Sequence, residues 1–191
     1  MIKEVFPILE TERLLLRELR HSDAPTLLEI HGNPQVMLWM GTNALKDLED
    51  AHHKVSRFLA GRDAIVPSIR WGLERKSDGQ LLGTCGVFNW AKEWKKCMLG
   101  YELGMNAQGQ GYMYESLNAI LPWVFDHFKL HRIEALIHPD NLASFKLAHK
   151  LGFKIEGTLR EVAFWNNAHH DMVQLGLLRR DFSLSNNFHP S

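Results

Sequence analysis

The spacing of apolar residues changes from helix-like to strand-like at residues 68–105, and this change most constrains the fold. A glycine-bearing hairpin turn, Lys76 to Gln80, separates SIRWGLER from LLGTCGVFNW, and the next strand-like run is KKCMLGYELGM. Consecutive strands joined by short connections pair antiparallel. The region therefore predicts a three-stranded antiparallel meander.

Helical patterns lie on both sides of this meander. Before it, a strand is predicted at 12–19, a helix in SDAPTLLEIHG with Ser22 as its cap, and a second helix at 47–60. After it come a helix in GYMYESLNAILPWVFDHFKL, a strand in HRIEALIH and a helix in NLASFKLAHKLGF. Two final strands, KIEGTLREVAFW and HDMVQLGLLRRDF, are joined by Asn166-Asn167. The predicted order is β-α-α-β-β-β-α-β-α-β-β, with a kink or break near Asn118 because Pro122 lies inside the longest helix.

Composition excludes several classes of protein. The 22 Lys and Arg residues balance 22 Asp and Glu residues, so no net charge draws the chain to nucleic acid or to anionic lipid. No apolar run approaches the roughly 18 residues of a membrane helix, and the start of the sequence lacks a signal peptide's apolar core. We therefore expect a cytoplasmic protein without membrane or direct nucleic-acid contacts.

A glycine-rich turn, Gln108-Gly109-Gln110-Gly111, connects the last strand of the meander to the long helix. Backbone amides at a helix N-terminus, together with the helix dipole, favour a bound phosphate. The motif alone is equally consistent with a plain turn, because glycine is the usual residue wherever φ is positive. A dinucleotide fingerprint is excluded, since Tyr114 stands where its third glycine is required, and no P-loop lysine is present.

Three segments carry a family resemblance: YELGMNAQGQGYMYESLNAI, HRIEALIHPDNLASFKLAHKLGFKIEGTLRE and WGLERKSDGQLLGTCGVFNW. Together they resemble GCN5-related N-acetyltransferases (GNAT) of the RimJ/RimL-like type, which acetylates the N-termini of ribosomal proteins. The resemblance spans roughly residues 8–182. It implies a single domain, 1–191, with an α/β (α+β) fold in which helices flank a central, mixed, mostly antiparallel and splayed β-sheet.

The resemblance also implies an acetyl-CoA site. In such proteins the pyrophosphate is held at the positions of Gln108, Gly111 and Met113, although Met113 replaces a small residue. The pantetheine arm would contact the backbone of Leu103, Gly104 and Met105. The continuous wall from Met105 to Met113 adds Gly109, Gln110 and Tyr112, and the following helix adds Asn141 and Ser144. Asn141 and Ser144 could equally be a helix cap and a solvent-facing serine.

Acetyl transfer to an amine requires a proton for the departing thiolate and a neutral attacking amine. Ser144 is the candidate donor of that proton. The candidate bases are Glu102, Glu134 and Glu161, each of which could instead serve a structural ion pair. Some relatives carry a glutamate where this chain has Ala163, and strand alternation should place Glu161 on the same face.

Two further predictions concern histidines. His138 precedes a proline in an extended turn, which favours a surface role. The adjacent pairs His52-His53 and His169-His170 point in different directions on a regular element, so no metal is expected.

The acceptor groove should lie between the N-terminal helices, 22–60, and the hairpin at 163–170. Four aromatic residues are candidates to line it: Trp39, Trp90, Phe164 and Trp165. The resemblance implies a protein N-terminal α-amine of the ribosomal-protein type as the acceptor. The alternatives are a polyamine or aminoglycoside acetyltransferase, a non-catalytic acyl-CoA-binding module, and a structural ribosome-associated protein; the sequence is compatible with a monomer or a homodimer.

Overall fold

A computed structural model describes residues 5–186 of the chain, with side chains as far as residue 182. The ends of the predicted domain, 1–4 and 187–191, lie outside the described residues. The strands are β1 (Leu9–Glu10), β2 (Leu14–Glu18), β3 (Ile69–Arg75), β4 (Leu81–Ala91), β5 (Lys96–Leu103), β6 (Arg132–Ile137), β7 (Lys154–Trp165) and β8 (Ala168–Leu178). The α-helices are α1 (Ala24–His31), α2 (Pro34–Met37), α3 (Leu48–Ala60), α4 (Tyr112–His127), α5 (Leu142–Lys150) and α6 (Arg179–Asn186).

The strands of the described residues form one open sheet in the order β1-β2-β3-β4-β5-β6-β8-β7. Every neighbouring pair is antiparallel except β5 and β6, which are parallel. The predicted fold class, a mixed and mostly antiparallel sheet flanked by helices, is confirmed. The parallel pair arises because α4 carries the chain from the end of β5 back to the start of β6.

The larger hydrophobic core lies between the sheet and α4, because one face of α4 is apolar except for Ser116, whose hydroxyl donates to the carbonyl of Tyr112. Leu117, Ile120, Leu121 and Val124 recur at helical spacing and have no exposed surface. A smaller cluster packs α1 and α3 against the sheet through Leu19, Ala24, Leu27, Ala51, Val55 and Leu81. Helices α1 and α3 therefore form a layer separate from α4, and this layer forms one wall of the candidate site.

The C-terminal end differs from the prediction. The last strand was predicted to run to residue 182, but β8 ends at Leu178 and α6 begins at Arg179. The Arg179 guanidinium donates to the carbonyl of Phe125 at 2.9 Å, and the ring of Phe182 stacks on Phe125 at 5.6 Å between centroids. Packing against α4 thus favours a helix where local alternation had suggested a strand.

The structure also tests the predictions for Pro122, for the cap of α1 and for the final hairpin turn. The longest helix runs through Pro122 without a break, held by the buried face of α4 on either side of it. Asp23 rather than Ser22 stands at the N-cap position of α1, and its carboxylate accepts from Arg17 and from the amide of Arg20. In the β7–β8 turn Asn166 and Asn167 both have positive φ (51° and 59°), as a two-residue hairpin turn of this kind requires. Among the described helices, none combines the length and apolarity needed to cross a bilayer.

Candidate active site

The sheet opens at its single parallel junction. Strands β5 and β6 are paired at Lys96–Arg132, Cys97–Ile133 and Met98–Glu134, and the pairing ends there. Beyond this point β5 continues to Leu103 along β4, while β6 continues along β8. The second half of β5 therefore borders a gap in the sheet that is open to an extended ligand.

The glycine turn lies at the mouth of this gap. Gly109 has φ of 73° and Gly111, the N-cap of α4, has φ of 82°, so both occupy the left-handed region that side chains disfavour. Apart from the chain neighbours of each glycine, no atom of the described residues lies within 4 Å of the position that a Cβ would take at Gly109, and at Gly111 only an Arg13 nitrogen does, at 3.5 Å. The turn is open toward solvent.

This open turn fits a phosphate group. The amides of Gly109, Gln110 and Gly111 donate to no acceptor within residues 5–186, and α4 contributes the free amides of its first turn. The side chain of Met113 is buried in the core, so only its backbone faces the turn. Met113 replaces the small residue of the family pattern, but its side chain does not obstruct the candidate phosphate site.

Arg13 adds a positive charge beside the turn that the sequence did not indicate. Its Nη1 donates to the carbonyl of Gln110 at 3.0 Å, and its guanidinium carbon lies 4.3 Å from the centre of the Tyr112 ring. Glu115 holds the guanidinium through Nε at 2.6 Å. Arg13 Nη2 has no acceptor in the described part of the chain, which leaves one donor directed past Gly111.

The backbone at the end of β5 is partly used within the protein. The Gly104 amide donates to Leu82 and its carbonyl accepts from Ala107, both at 2.9 Å. The side-chain amide of Gln108 donates to the carbonyl of Leu103 at 3.0 Å. The amide of Met105 has no acceptor among the residues described, so it is the group of this segment most available to a ligand.

Asn141 and Ser144 begin α5 on the other side of the gap. Asn141 caps the helix, accepting from the amide of Ser144 at 3.1 Å, and the Ser144 side chain is half-buried. The hydroxyl of Tyr101 is buried and has no well-aligned hydrogen-bond partner in the described chain. Burial raises the pKa of Tyr101, and the nearby Ser144 hydroxyl opposes that rise. Two hydroxyls, one from β5 and one from α5, thus lie close together at the gap.

Glu102 is buried on the opposite face of β5, within a network of three partners. The carboxylate accepts from the guanidinium of Arg70 and from the hydroxyl of Thr84, and it lies 3.1 Å from His31 Nε2. Burial alone would raise the pKa of Glu102, but Arg70, His31 and Thr84 together lower it to about 2. Glu102 is therefore a fixed negative charge rather than a group ready to accept a proton near neutral pH.

We expect Glu102→Gln to destabilise the protein by about 3 to 5 kcal/mol, because Arg70 would keep a largely buried charge without its partner. The folded pKa of Glu102, about 2, lies below its ordinary value of 4.5. The stabilisation is therefore complete above pH 4.5 and is lost as the pH falls from 4.5 to about 2. Urea unfolding across that range measures both effects, with the exposed Glu93→Gln as control. Equal stability of Glu102→Gln and wild type at pH 7 would contradict this prediction.

The other two candidate bases occupy different surroundings. Glu134 is held by Lys96 and Arg132 at 3.1 and 2.9 Å, at the last paired position of β5 and β6. Glu161 is exposed, with φ of 51°, in an irregular stretch of β7 between Leu159 and Ala163. The bulge interrupts strand alternation, so the predicted shared face of Glu161 and Ala163 does not follow from their spacing.

His138 is buried, which corrects the predicted surface role. Its ring stacks on Trp39 at 4.2 Å between centroids and meets His170 at 5.5 Å; the His170 ring in turn stacks on Trp165 at 3.6 Å. Burial lowers the pKa of His138, with Asp140 opposing. These four rings join the segment after α2, the end of β6 and the β7–β8 hairpin.

The remaining predicted groove residues are dispersed. Trp90 packs on Phe128 at 5.0 Å, near the end of β4 farthest from the gap, and Phe164 is an exposed hairpin residue. Of the four aromatics, only Trp39 and Trp165 are brought together with His138. Within residues 5–186, no three His, Cys, Asp or Glu side chains converge as metal ligands would.

A cavity of about 430 Å³ lies on the Glu102 face of the sheet. Its floor is β3, β4 and the second half of β5, and its walls are α3, the end of α1 and the segment after α2. His31, Tyr101 and Glu102 all line it. The cavity therefore shares residues 100–102 of β5 with the edge of the gap, and the glycine turn follows the end of the same strand.

The comparisons with known proteins agree with this geometry. Residues 13–154 match the family model described as the acetyltransferase (GNAT) domain. The chain is 32% identical over 167 residues to the uncharacterized N-acetyltransferase YoaA of Bacillus subtilis (strain 168), covering 87% of this chain and 94% of that protein. The chain belongs to the GNAT acetyltransferase family, as its sequence had indicated.

Two further similarities differ in the acceptor named. One is to the [ribosomal protein uS5]-alanine N-acetyltransferase of Escherichia coli (strain K12), 25% identical over 186 residues and covering 92% of each chain. The other is to the crystal structure of spermidine N-acetyltransferase from Vibrio cholerae in complex with CoA and spermine. Its TM-score is 0.77 at 19% identity, with 90% of this chain and 98% of that chain covered, so this likeness concerns the fold.

Proposed function

We propose that this protein transfers the acetyl group of acetyl-CoA to a primary amine, most specifically the α-amine of a protein N-terminus of the ribosomal-protein type. The observation that carries the proposal is the gap between β5 and β6, together with the open amides of the glycine turn that follows β5 and the cavity lined by residues 100–102 of the same strand. Such a site holds a thioester and an amine together for direct attack in a ternary complex.

Each end of the site has a role in this proposal. The free amides of Met105, Gly109, Gln110 and Gly111, aided by Arg13, bind the diphosphate and pantetheine of CoA, and Asn141 orients the start of α5. Ser144 provides the proton for the departing thiolate. The cavity over Glu102 receives the acceptor amine.

An α-amine needs little help from a base. Its pKa is about 7.7 to 8.0, so roughly a tenth or more is neutral at pH 7, whereas a lysine amine at about 10.4 is almost wholly charged. Glu102 carries a fixed charge in the floor of the cavity, and its oxygens are already bound to Arg70 and Thr84, so its role is electrostatic rather than that of a base. Neither Glu134 nor Glu161 lines the cavity, and Glu134 is in addition paired with Lys96 and Arg132.

The test is incubation of purified protein with acetyl-CoA and a panel of amines, with acetylated products read by mass and free thiol measured in parallel. The panel contains peptides with free N-termini, the same peptides blocked at the N-terminus but carrying lysine, and spermidine. Acetylation of free N-termini alone supports the proposal. Acetylation of lysine or spermidine instead would replace the acceptor, and CoA binding without product from any amine would make the protein a binding module.

The pH dependence provides a second check on the same reaction. For a peptide acceptor without Asp or Glu near its N-terminus, kcat/KM should rise with pH and level off above about pH 8, following the α-amine's own pKa. Glu102, with its pKa lowered to about 2, should add no inflection between pH 5 and 9. Lys54 lines the cavity with its pKa lowered to about 8, so the profile is measured in Lys54→Met as well as in the wild type. An inflection that persists in Lys54→Met when the acceptor's pKa is altered would place a titrating base in the protein.

A further inference from the structure

The charges around the acceptor cavity are unevenly matched. Three residues of α3 line the cavity, Lys54, Phe58 and the solvent-exposed Arg57, and the floor adds Arg70 and Glu102. Lys54 and Phe58, four residues apart, and Arg57, between them, lie on neighbouring positions of one helical face. The cavity is lined by three cationic side chains and a single carboxylate.

That carboxylate is already bound. Glu102 accepts from Arg70 and Thr84 and lies beside His31, so its oxygens are occupied within the sheet. Lys54 and Arg57 form no ion pair with any carboxylate of the described residues. Two cations therefore face the cavity without an anion of their own.

The surroundings of Lys54 make its unpaired positive charge unfavourable. Burial, assisted by Arg70 and Arg57 and opposed by Glu102, lowers the pKa of Lys54 to about 8. Its ammonium group lies 5.9 Å from the Phe58 ring, a weak contact at that distance. An anion in the cavity would favour the charged form of Lys54 and give its ammonium group an ion-pair partner.

We propose that the preferred acceptor carries a carboxylate close to its primary amine, bound by Lys54 and Arg57 while the amine approaches the gap beside Glu102. This inference rests on the proposed acetyl transfer and specifies its acceptor. A polyamine is disfavoured, because its remaining ammonium groups would enter a cavity that is already positive. The cavity volume lies within the range of small-ligand pockets, about 300 to 1,000 Å³, so it admits a small molecule or the first residues of a peptide.

Two sources supply this chemistry: an Asp or Glu side chain near a protein N-terminus, and the α-carboxylate of a free amino acid. The experiment uses peptide pairs that differ only by Glu or Gln at positions one to three, with free glutamate and glutamine as a further arm. At saturating acetyl-CoA, we expect kcat/KM to be at least about 10-fold higher for the acidic member of a pair. A ratio of this size is typical of one partly buried contact between opposite charges. Greater activity on free amino acids than on peptides would assign the carboxylate to the small-molecule source.

The variants connect the preference to the two cations. In Lys54→Met the acid-to-amide ratio should fall to near one, and in Arg57→Met it should fall in the same direction. Lys46→Gln, an exposed lysine outside the cavity lining, is the matched control and should keep the wild-type ratio. Thermal unfolding of each variant establishes that it is folded.

The failures of the two proposals are distinguishable. Equal kcat/KM for acidic and amide peptides, a preference for spermidine, or an acid preference unchanged in Lys54→Met would each overturn this inference while leaving acetyl transfer intact. Failure to acetylate any amine, with CoA still bound, would overturn the proposed function instead.

Discussion

Gly111→Val should weaken CoA binding by at least about 100-fold while the protein remains folded. Gly111 has φ of 82°, where a β-branched residue is strongly disfavoured, and its side chain would lie over the free amides of the turn. A hydrogen bond to a charged group contributes about 1.5 to 3 kcal/mol, so displacing two of them accounts for a loss of this size. Isothermal titration with CoA measures the affinity directly.

The control for this substitution is Gly41→Val. Gly41 also has positive φ, 69°, and no protein atom lies within 4 Å of its added Cβ. Its backbone strain is therefore comparable, but it lies in the segment after α2 rather than in the turn. Gly41→Val should bind CoA like the wild type, and unchanged affinity in Gly111→Val would remove the phosphate role from the turn.

Ser144→Ala should lower kcat by about 10- to 100-fold and change the Kd for CoA less than about 3-fold. A general acid commonly contributes about 100-fold or more, and a thiol with a pKa of about 8.5 is a good leaving group that needs less assistance. Ser144→Thr keeps a hydroxyl and should recover much of the rate. Steady-state kinetics combined with CoA titration separates the two quantities.

A neutral serine substitution on another helix provides the comparison. Ser56 donates to the carbonyl of His52 on the exposed side of α3, so Ser56→Ala should leave both kcat and Kd unchanged. An equal loss of rate and affinity in Ser144→Ala would assign Ser144 to binding. A normal rate in Ser144→Ala, with a loss in Tyr101→Phe, would assign the proton to the buried hydroxyl beside it.

The parts of the site that follow from local sequence were predictable. A glycine turn between a strand and a helix has few possible geometries, and the positive φ values of Gly109 and Gly111 are what such a turn requires. Asn141 stands at a helix start, and it caps that helix. The order of the long strands and helices was also predictable, because each has its own period of apolar residues, whereas the short elements β1 and α2 and the terminal helix α6 were not predicted.

The environment of Glu102 could not be predicted in the same way. Its partners His31, Arg70 and Thr84 belong to three separate elements, and only the assembled sheet and α1 bring them to one carboxylate. Sequence spacing gives no information on such contacts. The same reason explains why Arg13 was missed, since it is far from the glycine turn along the chain.

Local pattern also misled at two places where tertiary contacts decided the structure. The bulge near Glu161 breaks an alternation that the letters of β7 suggest. His138 precedes a proline, as an exposed residue often does, yet the rings of Trp39, Trp165 and His170 surround it. At the bulge, the amide of Glu161 donates to the side chain of Asp171 on β8 at 2.8 Å. Contacts of the hairpin with distant segments surround His138, and the amide of Asn166 also donates to the side chain of Asn43 at 2.8 Å.

The short junction of β5 with β6 has a consequence for folding energetics. Only the pairs from Lys96–Arg132 to Met98–Glu134 connect these strands by a backbone ladder. An extended ligand bound in the gap would replace hydrogen bonds that a neighbouring strand supplies elsewhere, and its binding free energy would add to the stability of the native state. Without a ligand, the edge of β5 that faces β6 has no paired strand beyond Met98 in the described part of the chain, so the sheet is incomplete at this position.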